Sequence, residues 1–235
     1  MFSNSFFFLI INQGNTFDWI EGKRLQANLS DAYTWLAVAD SHFQFLLPFL
    51  AKFGVSGVAI SGGQIWHMKK YLECHNFFKG RVNGIFIFAG GNDIARREGA
   101  LTKVVGDMKD LVLSIAKVNN GCTIVTNTFI PRATGRDGGD GFLSLCERVD
   151  GMISQWSVKH HHVLNNVMVA DKDRYGKVGI RSELYGRDLT HLNGAGRKAY
   201  EQVLEFIFDS VNRDDFKGRR EIPCGDSYRT VLWKF

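Results

Sequence analysis

An acidic side chain and an imidazole lie three residues apart late in the sequence, just before a helical pattern. They are Asp188 and His191, in the segment GRDLTHLNGAG. Within a single turn this spacing places both side chains on one side of the backbone, so the carboxylate can accept a hydrogen bond from the nearer ring nitrogen. The other ring nitrogen then stays an acceptor, as a general base for a hydroxyl group requires. A polar helix cap beside a surface histidine gives the same pattern, so the pair is informative only together with a nucleophile.

A serine follows the first predicted strand in a setting that suits a nucleophile. The apolar segment YTWLAVAD, residues 33–40, is typical of a buried strand, and Ser41 comes directly after it and before a helical pattern. There the backbone N–H and the positive end of a helix dipole can stabilise a developing negative charge. A serine before a helix is also an ordinary N-cap, and that alternative stays open at this point.

Two further strand ends carry groups that could bind an oxyanion. Gly62 and Gly63 follow the apolar run GVAIS, where glycine lets the backbone turn sharply and present an amide without a side chain in the way. Asn92 ends the run GIFIFAGGND and carries a side-chain amide that can donate a hydrogen bond. A tight turn and an Asx turn are the purely structural alternatives.

Short apolar runs alternate with helical patterns along the chain, which predicts βαβ units. The predicted strands are residues 33–40, 57–61, 84–93, 122–129 and 166–171, and the predicted helices are residues 42–53, 100–118, 142–158 and 200–211. Pro48 is the weak point of the first helix. The pattern is typical of a three-layer α/β/α sandwich of the flavodoxin-like kind, with a mostly parallel central sheet. Ligands bind such sheets at the carboxyl ends of the strands, where the serine, the glycines and the asparagine all fall.

The order serine, glycine, asparagine and Asp-x-x-His resembles the SGNH hydrolases, also called the GDSL lipase/esterase family. The resemblance extends over residues 35–211, which is most of the chain. It implies a nucleophile, two oxyanion donors and the acid and base of a triad, which are Ser41, Gly62 with Asn92, and Asp188 with His191. Gly63 remains a one-residue alternative to Gly62.

Two positions depart from the usual motifs of that family. Ala39 takes the place of the glycine in the Gly-Asp-Ser block, and Leu192 takes the place of the proline that often follows the histidine. The Gly-x-Asn-Asp block is intact at residues 90–93. Neither departure removes a reacting group.

The resemblance implies a serine hydrolase that cleaves acetyl, short-chain acyl or lipid esters through an acyl-enzyme. It implies no metal and no cofactor, and its partner would be a small-molecule or lipid ester. The alternative is a binding domain that keeps the fold without turnover and holds a lipid or glycan, against which the intact set of reacting groups argues. The sequence does not indicate an oligomeric state, an acyl length or an alcohol.

A narrower resemblance concerns esterase domains in open reading frame 1 of some non-LTR retrotransposons, whose products associate with RNA and membranes. It depends on the triplet Asp-Ser-His at residues 40–42 and on DLTHLNGAG at residues 188–196. The net charge of +5 fits such partners, but the basic residues are scattered in pairs and no RNA-recognition signature, zinc knuckle or coiled-coil heptad occurs. Nucleic-acid binding is therefore only weakly supported, and membrane-surface binding stays open.

Three other sequence features are not assigned a role in catalysis or metal binding. A literal Gly-Asp-Ser at residues 225–227 follows Pro223 rather than a buried strand, and too little chain remains after it to supply the later motifs. The histidines at residues 160–162 are consecutive and lack the spacing of metal ligands. Residues 132–141 are predicted to form a mobile loop.

Composition and length predict one globular domain with extensions. The chain has 235 residues, of which 45% are hydrophobic. We expect an N-terminal extension over residues 1–30, a hydrolase-like domain over 31–213 and a C-terminal tail over 214–235. The apolar run at residues 6–11 is too short for a membrane span and a poor secretory signal. Four widely separated cysteines are read as free thiols, which favours a reducing, cytoplasmic location.

Overall fold

A mostly parallel sheet forms the centre of the molecule. The computed structural model describes residues 15–20, 23–28, 35–74, 82–96, 101–119, 121–127, 130, 132, 138–153, 156, 161–164, 170–172, 178–212 and 221–222. In these residues the strands are β1 (Asn15–Ile20), β2 (Lys23–Asn28), β3 (Trp35–Asp40), β4 (Val55–Ile60), β5 (Gly84–Phe88), β6 (Thr123–Asn127), β7 (His161–Leu164), β8 (Ala170–Lys172), β9 (Val178–Ile180) and β10 (Glu221–Ile222). The helices are α1 (Leu47–Ala51), α2 (Ile65–Cys74), α3 (Gly91–Arg96), α4 (Leu101–Val118), α5 (Gly138–Ile153) and α6 (Gly194–Asn212).

Eight of the described strands form one sheet in the order β1-β2-β4-β3-β5-β6-β7-β10. Every pairing from β4 to β10 is parallel, whereas β2 pairs antiparallel with β4 and with β1. Strands β8 and β9 pair separately with each other. The predicted mostly parallel sheet is confirmed.

Apolar cores lie on both faces of this sheet, because each central strand is buried on both sides. On β3, Leu36 and Val38 face a core that includes side chains of α2, α4 and α5. Ala37 and Ala39 face the opposite core, which includes side chains of α1 and α6. This alternation gives the three predicted layers and leaves the carboxyl end of β3 in the middle of the molecule.

The segment after β3 corrects the prediction of a single helix over residues 42–53. A short 3-10 turn at Gln44–Leu46 comes first, and α1 begins only at Leu47. Pro48 lies in the first turn of α1, where its missing N–H leaves no hydrogen bond unmade. The proline therefore sets where the helix begins and leaves a separate turn between β3 and α1.

Other element boundaries also differ from prediction. The strand predicted over residues 84–93 ends at Phe88, because α3 begins at Gly91. The predicted loop over residues 132–141 is wrong at its end, since α5 already begins at Gly138. The helix predicted over residues 142–158 ends at Ile153. Of the strand predicted over residues 166–171, only the part from Ala170 lies within the described residues.

Several strands were not predicted. His161–Leu164 forms β7, so two of the clustered histidines lie on a strand of the main sheet. Strands β1 and β2 add an antiparallel edge from the predicted N-terminal extension, and β10 adds a strand from the predicted tail. The domain boundaries near residues 30 and 213 stay predictions. No helix in the described part of the chain is long and apolar enough to cross a membrane.

Candidate active site

Ser41 directly follows β3, a central strand. It therefore lies near the middle of the row formed by the carboxyl ends of the parallel strands. Its neighbour Phe43 is buried, stacks on Phe88 at 4.2 Å between ring centroids and meets the edge of Tyr200 at 5.1 Å. The N–H of Phe43 also donates to the carbonyl of Asp40 at 3.2 Å. The turn that carries Ser41 is therefore held by the core, while Ser41 itself stays partly exposed.

Ser41 and His191, which are distant in sequence, meet at this edge. The hydroxyl oxygen of Ser41 lies 3.1 Å from Nε2 of His191. Nδ1 of the same ring lies 2.6 Å from Oδ2 of Asp188. The three side chains therefore form one hydrogen-bonded series, and the hydroxyl of Ser41 does not cap a helix.

Asp188 is an exposed carboxylate whose charge is fixed by its hydrogen bonds. Its other oxygen accepts the backbone N–H groups of Thr190 and His191, each at 3.0 Å. The hydrogen bond from the His191 ring, followed by these two N–H groups, holds the pKa of Asp188 well below its usual range. Asp188 is therefore ionised and accepts the Nδ1 proton, which leaves Nε2 as the acceptor facing Ser41.

The loop that carries this pair is closed on itself by backbone hydrogen bonds. The N–H of Gly186 donates to the carbonyl of His191 at 2.7 Å, and the N–H of Leu189 donates to the carbonyl of Gly186 at 2.9 Å. Leu189 has a φ of +50°, a left-handed conformation that a residue with a Cβ seldom adopts. Strain of this kind persists where the surrounding structure holds it, and here it fixes the turn between the acid and the imidazole.

Asn193 anchors the same loop to α6, and sequence reasoning missed it. Its Oδ1 accepts the N–H groups of Ala195 and Gly196 at 2.9 and 3.1 Å, which makes it the N-terminal cap of that helix. Its Nδ2 donates to the carbonyls of Glu183 and Tyr185. The asparagine just before a helical pattern was a usable cap signal in the sequence.

The predicted helix dipole at Ser41 is absent, which corrects one part of the expected oxyanion site. Residues 41–43 form a turn, and the following 3-10 segment has Phe43 at its N-cap position without a side-chain cap. Within the described residues the backbone N–H of Ser41 has no hydrogen-bond acceptor. That N–H is available to an incoming oxygen without support from a helix.

Gly62 and Gly63 differ in what their N–H groups do. The N–H of Gly63 closes the turn after β4 by donating to the carbonyl of Ile60 at 2.9 Å. Gly62 has a φ of +61°, which glycine adopts readily, and its N–H has no acceptor among the described residues. Among the described residues, the N–H of Gly62 is therefore without an acceptor, whereas that of Gly63 is used in the turn.

Asn92 lies in the first turn of α3 and is oriented by two partners. Its Nδ2 donates to the carbonyl of Gly63 at 2.8 Å, and its Oδ1 accepts a hydrogen bond from Nη2 of Arg132 at 2.7 Å. Turning the amide over would place its NH₂ group against the guanidinium, where both sides are donors. Arg132 thus fixes the amide with its nitrogen toward Gly63, and the second Nδ2 hydrogen has no acceptor among the described residues.

Arg132 was not predicted as a site residue. It follows β6, the strand beside β5, so its carboxyl-end position was the available signal. It is half-buried, and burial lowers its pKa while the neighbouring carboxylate of Asp40 raises it. Its guanidinium therefore stays charged at this edge of the sheet.

Two buried titratable groups flank Ser41 in sequence. Burial raises the pKa of Asp40 to about 7, against the opposing effects of the His42 N–H at 2.9 Å and of Arg132. Burial, followed by the charge of Arg132, lowers the pKa of His42 to about 3. The His42 ring lies 5.0 Å from the His191 ring between centroids, and neither of its nitrogens has a partner in the described part of the chain. A neutral ring therefore packs against His191.

No group of three or more histidine, cysteine, aspartate or glutamate side chains converges on a possible metal site within the described residues. His161 and His162, on β7, belong to no such group. Cys74, Cys122 and Cys146 form no disulfide within the described residues, and Cys224 lies outside them.

Solved structures with the same fold include a GDSL-like lipase and an acetylxylan esterase. A protein from Streptococcus pneumoniae proposed to be a platelet activating factor matches with a TM-score of 0.59 at 19% identity, over 75% of this chain and 84% of that one. A GDSL-like lipase from Bacteroides thetaiotaomicron matches with a TM-score of 0.56 at 17% identity, over 75% and 88%. An acetylxylan esterase from Geobacillus stearothermophilus, solved as a catalytic mutant, matches with a TM-score of 0.53 at 14% identity, over 77% and 95%. No protein-family model and no curated protein sequence matches the chain. The fold that the SGNH resemblance implied is confirmed.

Proposed function

We propose that this protein is a serine ester hydrolase of the SGNH superfamily, with Ser41 as its nucleophile. One observation carries the proposal: Nε2 of His191 lies 3.1 Å from the Ser41 hydroxyl while Nδ1 lies 2.6 Å from Asp188. A surface histidine beside a helix cap does not require a serine 150 residues away at hydrogen-bond distance. The fold shared with lipases and acyl esterases supports the same function.

Acylation begins when the Ser41 oxygen attacks the carbonyl carbon of an ester. Nε2 of His191 takes the hydroxyl proton as the new C–O bond forms, and the ionised Asp188 stabilises the resulting imidazolium. The imidazolium then gives this proton to the alcohol oxygen as the old ester bond breaks. The products are the free alcohol and an acyl group on Ser41.

The tetrahedral oxyanion is bound on the opposite side of Ser41 from the imidazole. Its donors are the backbone N–H groups of Ser41 and Gly62 and the uncommitted Nδ2 hydrogen of Asn92. Arg132 is a positioning residue, because it holds Asn92 through Oδ1. Its positive charge also polarises the amide and strengthens the N–H as a donor.

Deacylation reverses the roles of the same groups. His191 removes a proton from a water molecule, the hydroxide attacks the acyl carbonyl, and the proton returns to the Ser41 oxygen as the acid leaves. The proposed chemistry uses only side chains and backbone of this chain, so we propose no cofactor and no metal.

Carboxylic esters are the proposed substrate class, with acetyl and short-chain acyl groups first and lipid esters included. The structures of similar fold include a GDSL-like lipase and an acetylxylan esterase, which supports this range. The retrotransposon branch of the resemblance, and RNA or membranes as partners, stay predictions. A cytoplasmic location also stays a prediction.

Hydrolysis of 4-nitrophenyl acetate, butyrate and octanoate by the wild type and by Ser41→Ala tests the proposal. We expect turnover by the wild type with a preference among the three chain lengths, and none above background by the variant. Equal turnover by both proteins would show that Ser41 is not the nucleophile. No turnover by either, with the wild type folded by circular dichroism, would favour the domain that binds a lipid or glycan without cleaving it.

A further inference from the structure

A lysine on β2, the second strand in the chain, lies close to the proposed oxyanion site. Because β2 runs antiparallel to β4, its first residue lies at the carboxyl end of the parallel strands. Leu25 pairs with Ile60, and the carbonyl of Arg24 accepts the N–H of Ser61, so Lys23 lies opposite Gly62. A methyl group placed on Gly62 would be 3.5 Å from Nζ of Lys23.

A second contact ties β2 to the other side of the site. The side-chain amide of Gln44, three residues after Ser41, donates a hydrogen bond to Oε1 of Gln26 on β2. Strand β2 is therefore attached both to the turn that carries Gly62 and to the segment after the nucleophile. The position of Lys23 is therefore set by the pairing of β2 with β4 and by the contact with Gln44.

A second cation, Arg96, and the exposed indole of Trp66 lie beside the turn that carries Gly62, because both donate hydrogen bonds to the side chain of Gln64. Nη1 of Arg96 donates to Oε1 of Gln64 at 3.4 Å, and Nε1 of Trp66 donates to the same oxygen at 3.3 Å. The Trp66 ring stacks on His67 at 3.7 Å between centroids and is 41% exposed. Lys23, Arg96 and Trp66 together are called the cationic wall below.

The charges of Lys23 and Arg96 act on the same neighbouring side chain. Burial lowers the pKa of His67, and the charges of Lys23 and Arg96 lower it further. Neither cation lies within ion-pair distance of a carboxylate among the described residues. Two acids of the described site have other partners: Asp93 is buried and accepts the N–H of Ile65, and Asp188 is bound to His191.

We propose that the cationic wall selects esters that carry a negative charge near the scissile bond, on a substrate with a flat apolar part that can lie against Trp66. This inference rests on the proposed function, since it concerns the substrate of the same site. A cation beside Gly62 attracts an anionic ester to the cleft and holds it there, whereas a neutral ester gains nothing from it. The exposed indole face supplies the apolar contact.

Matched esters, in which methylation of a carboxylate removes the negative charge, test this proposal. One pair carries the charge on the alcohol: 4-acetoxybenzoate and its methyl ester. The other carries it on the acyl group: mono-4-nitrophenyl adipate and its methyl ester. For each pair, kcat/KM of the anionic ester is divided by kcat/KM of the neutral one, and this charge ratio is compared between wild type and variants, so intrinsic reactivity cancels.

We expect the charge ratio of at least one pair to fall about fivefold in Lys23→Gln and in Arg96→Gln, as the loss of one partly exposed charge interaction predicts. In the wild type 0.5 M NaCl should reduce the ratio in the same direction. Lys117→Gln, an exposed lysine on α4 away from the site, removes the same net charge and should leave the ratio unchanged. Trp66→Leu should raise KM for both members of the acetoxybenzoate pair equally.

Two results would overturn the inference. If the wild type hydrolyses the neutral esters while the charge ratios of both pairs stay the same in Lys23→Gln and Arg96→Gln, the cationic wall does not select charge and the proposed hydrolase function still stands. If no ester in either pair is hydrolysed, the proposed function fails and the inference fails with it.

Discussion

The two sides of Ser41 are built in opposite ways. On the side of the proposed base, Asp188 and His191 are three residues apart in one exposed turn, with side chains 52% and 43% accessible. On the side of the proposed oxyanion site, Gly63, Asn92 and Arg132 follow three different strands and hold one another through hydrogen bonds that span 29 and 40 residues. A carboxylate and an imidazole can be aligned by local geometry in contact with water. Donors for an oxyanion must be fixed before the charge develops, and that fixation uses the packed end of the sheet.

The largest expected effect lies on the base side. His191→Ala removes the group that takes the Ser41 proton, so kcat should fall by about 10⁴-fold or more. Steady-state hydrolysis of a 4-nitrophenyl ester measures the fall. Because Ser41 and His191 act as one unit, adding His191→Ala to Ser41→Ala should cost almost nothing further. A full second loss in the double variant would mean that the two residues act separately.

The second largest expected loss of kcat concerns Asn92, one of the proposed oxyanion donors. Asn92→Ala removes one donor, and kcat should fall by about 100- to 1000-fold with little change in KM. Asn92→Asp keeps the shape but places negative charge beside the developing oxyanion, so its kcat should be at least as low. If Asn92→Asp kept most of the activity, Asn92 would not be a donor in the transition state.

A smaller expected loss of kcat tests whether Arg132 holds Asn92 in place. Arg132→Gln removes the charge that orients Asn92, and we expect kcat to fall by about tenfold while KM changes little, the size of one charged hydrogen bond. In an Asn92→Ala background the same substitution should have no further effect, because its target is gone. Arg148→Gln, an exposed arginine on α5, is the matched control. An equal loss in both backgrounds would mean that Arg132 acts on something other than Asn92.

The smallest expected effect concerns the free energy of unfolding. Asp40 and His42, the two neighbours of Ser41 in sequence, contribute to it with opposite pH dependence. With a pKa near 7, Asp40 keeps its proton in the folded protein while the unfolded chain has lost it, so its contribution to stability rises as pH falls from 7 to 4. With a pKa near 3, His42 stays neutral while the unfolded chain gains a proton, so its contribution falls as pH falls from 6.5. The two slopes, each about 1.4 kcal/mol per pH unit, oppose each other in the wild type.

Urea unfolding between pH 4 and 7 separates these slopes. Relative to the wild type, Asp40→Asn should lose stability as pH falls, because only the His42 contribution remains. His42→Phe, which keeps a ring against His191, should gain stability as pH falls. Parallel pH curves for the wild type and both variants would contradict the shifted pKa values of Asp40 and His42.

The same contrast explains what the sequence could and could not predict. The positions of Asp188 and His191 were predictable because their relation depends on spacing within one turn, and that of Ser41 because the apolar run before it indicates where β3 ends. The place of Asn92 on α3 was not predictable in this way, since the strand predicted to reach residue 93 ends at Phe88. Arg132 and Lys23 were not, since their places depend on which strands are neighbours and on an antiparallel edge that no local pattern indicates. The helix expected at Ser41 was wrong because Pro48 sets its own helix start at Leu47.

Covalent labelling with a fluorophosphonate, followed by peptide mapping, tests the central claim most directly, because it needs no knowledge of the substrate. Only a serine activated by a base reacts readily with this reagent. We expect one label per chain, on Ser41, with none on Ser41→Ala and greatly slowed labelling of His191→Ala. A label on another serine, such as Ser227, or an unlabelled but folded wild-type protein would contradict it.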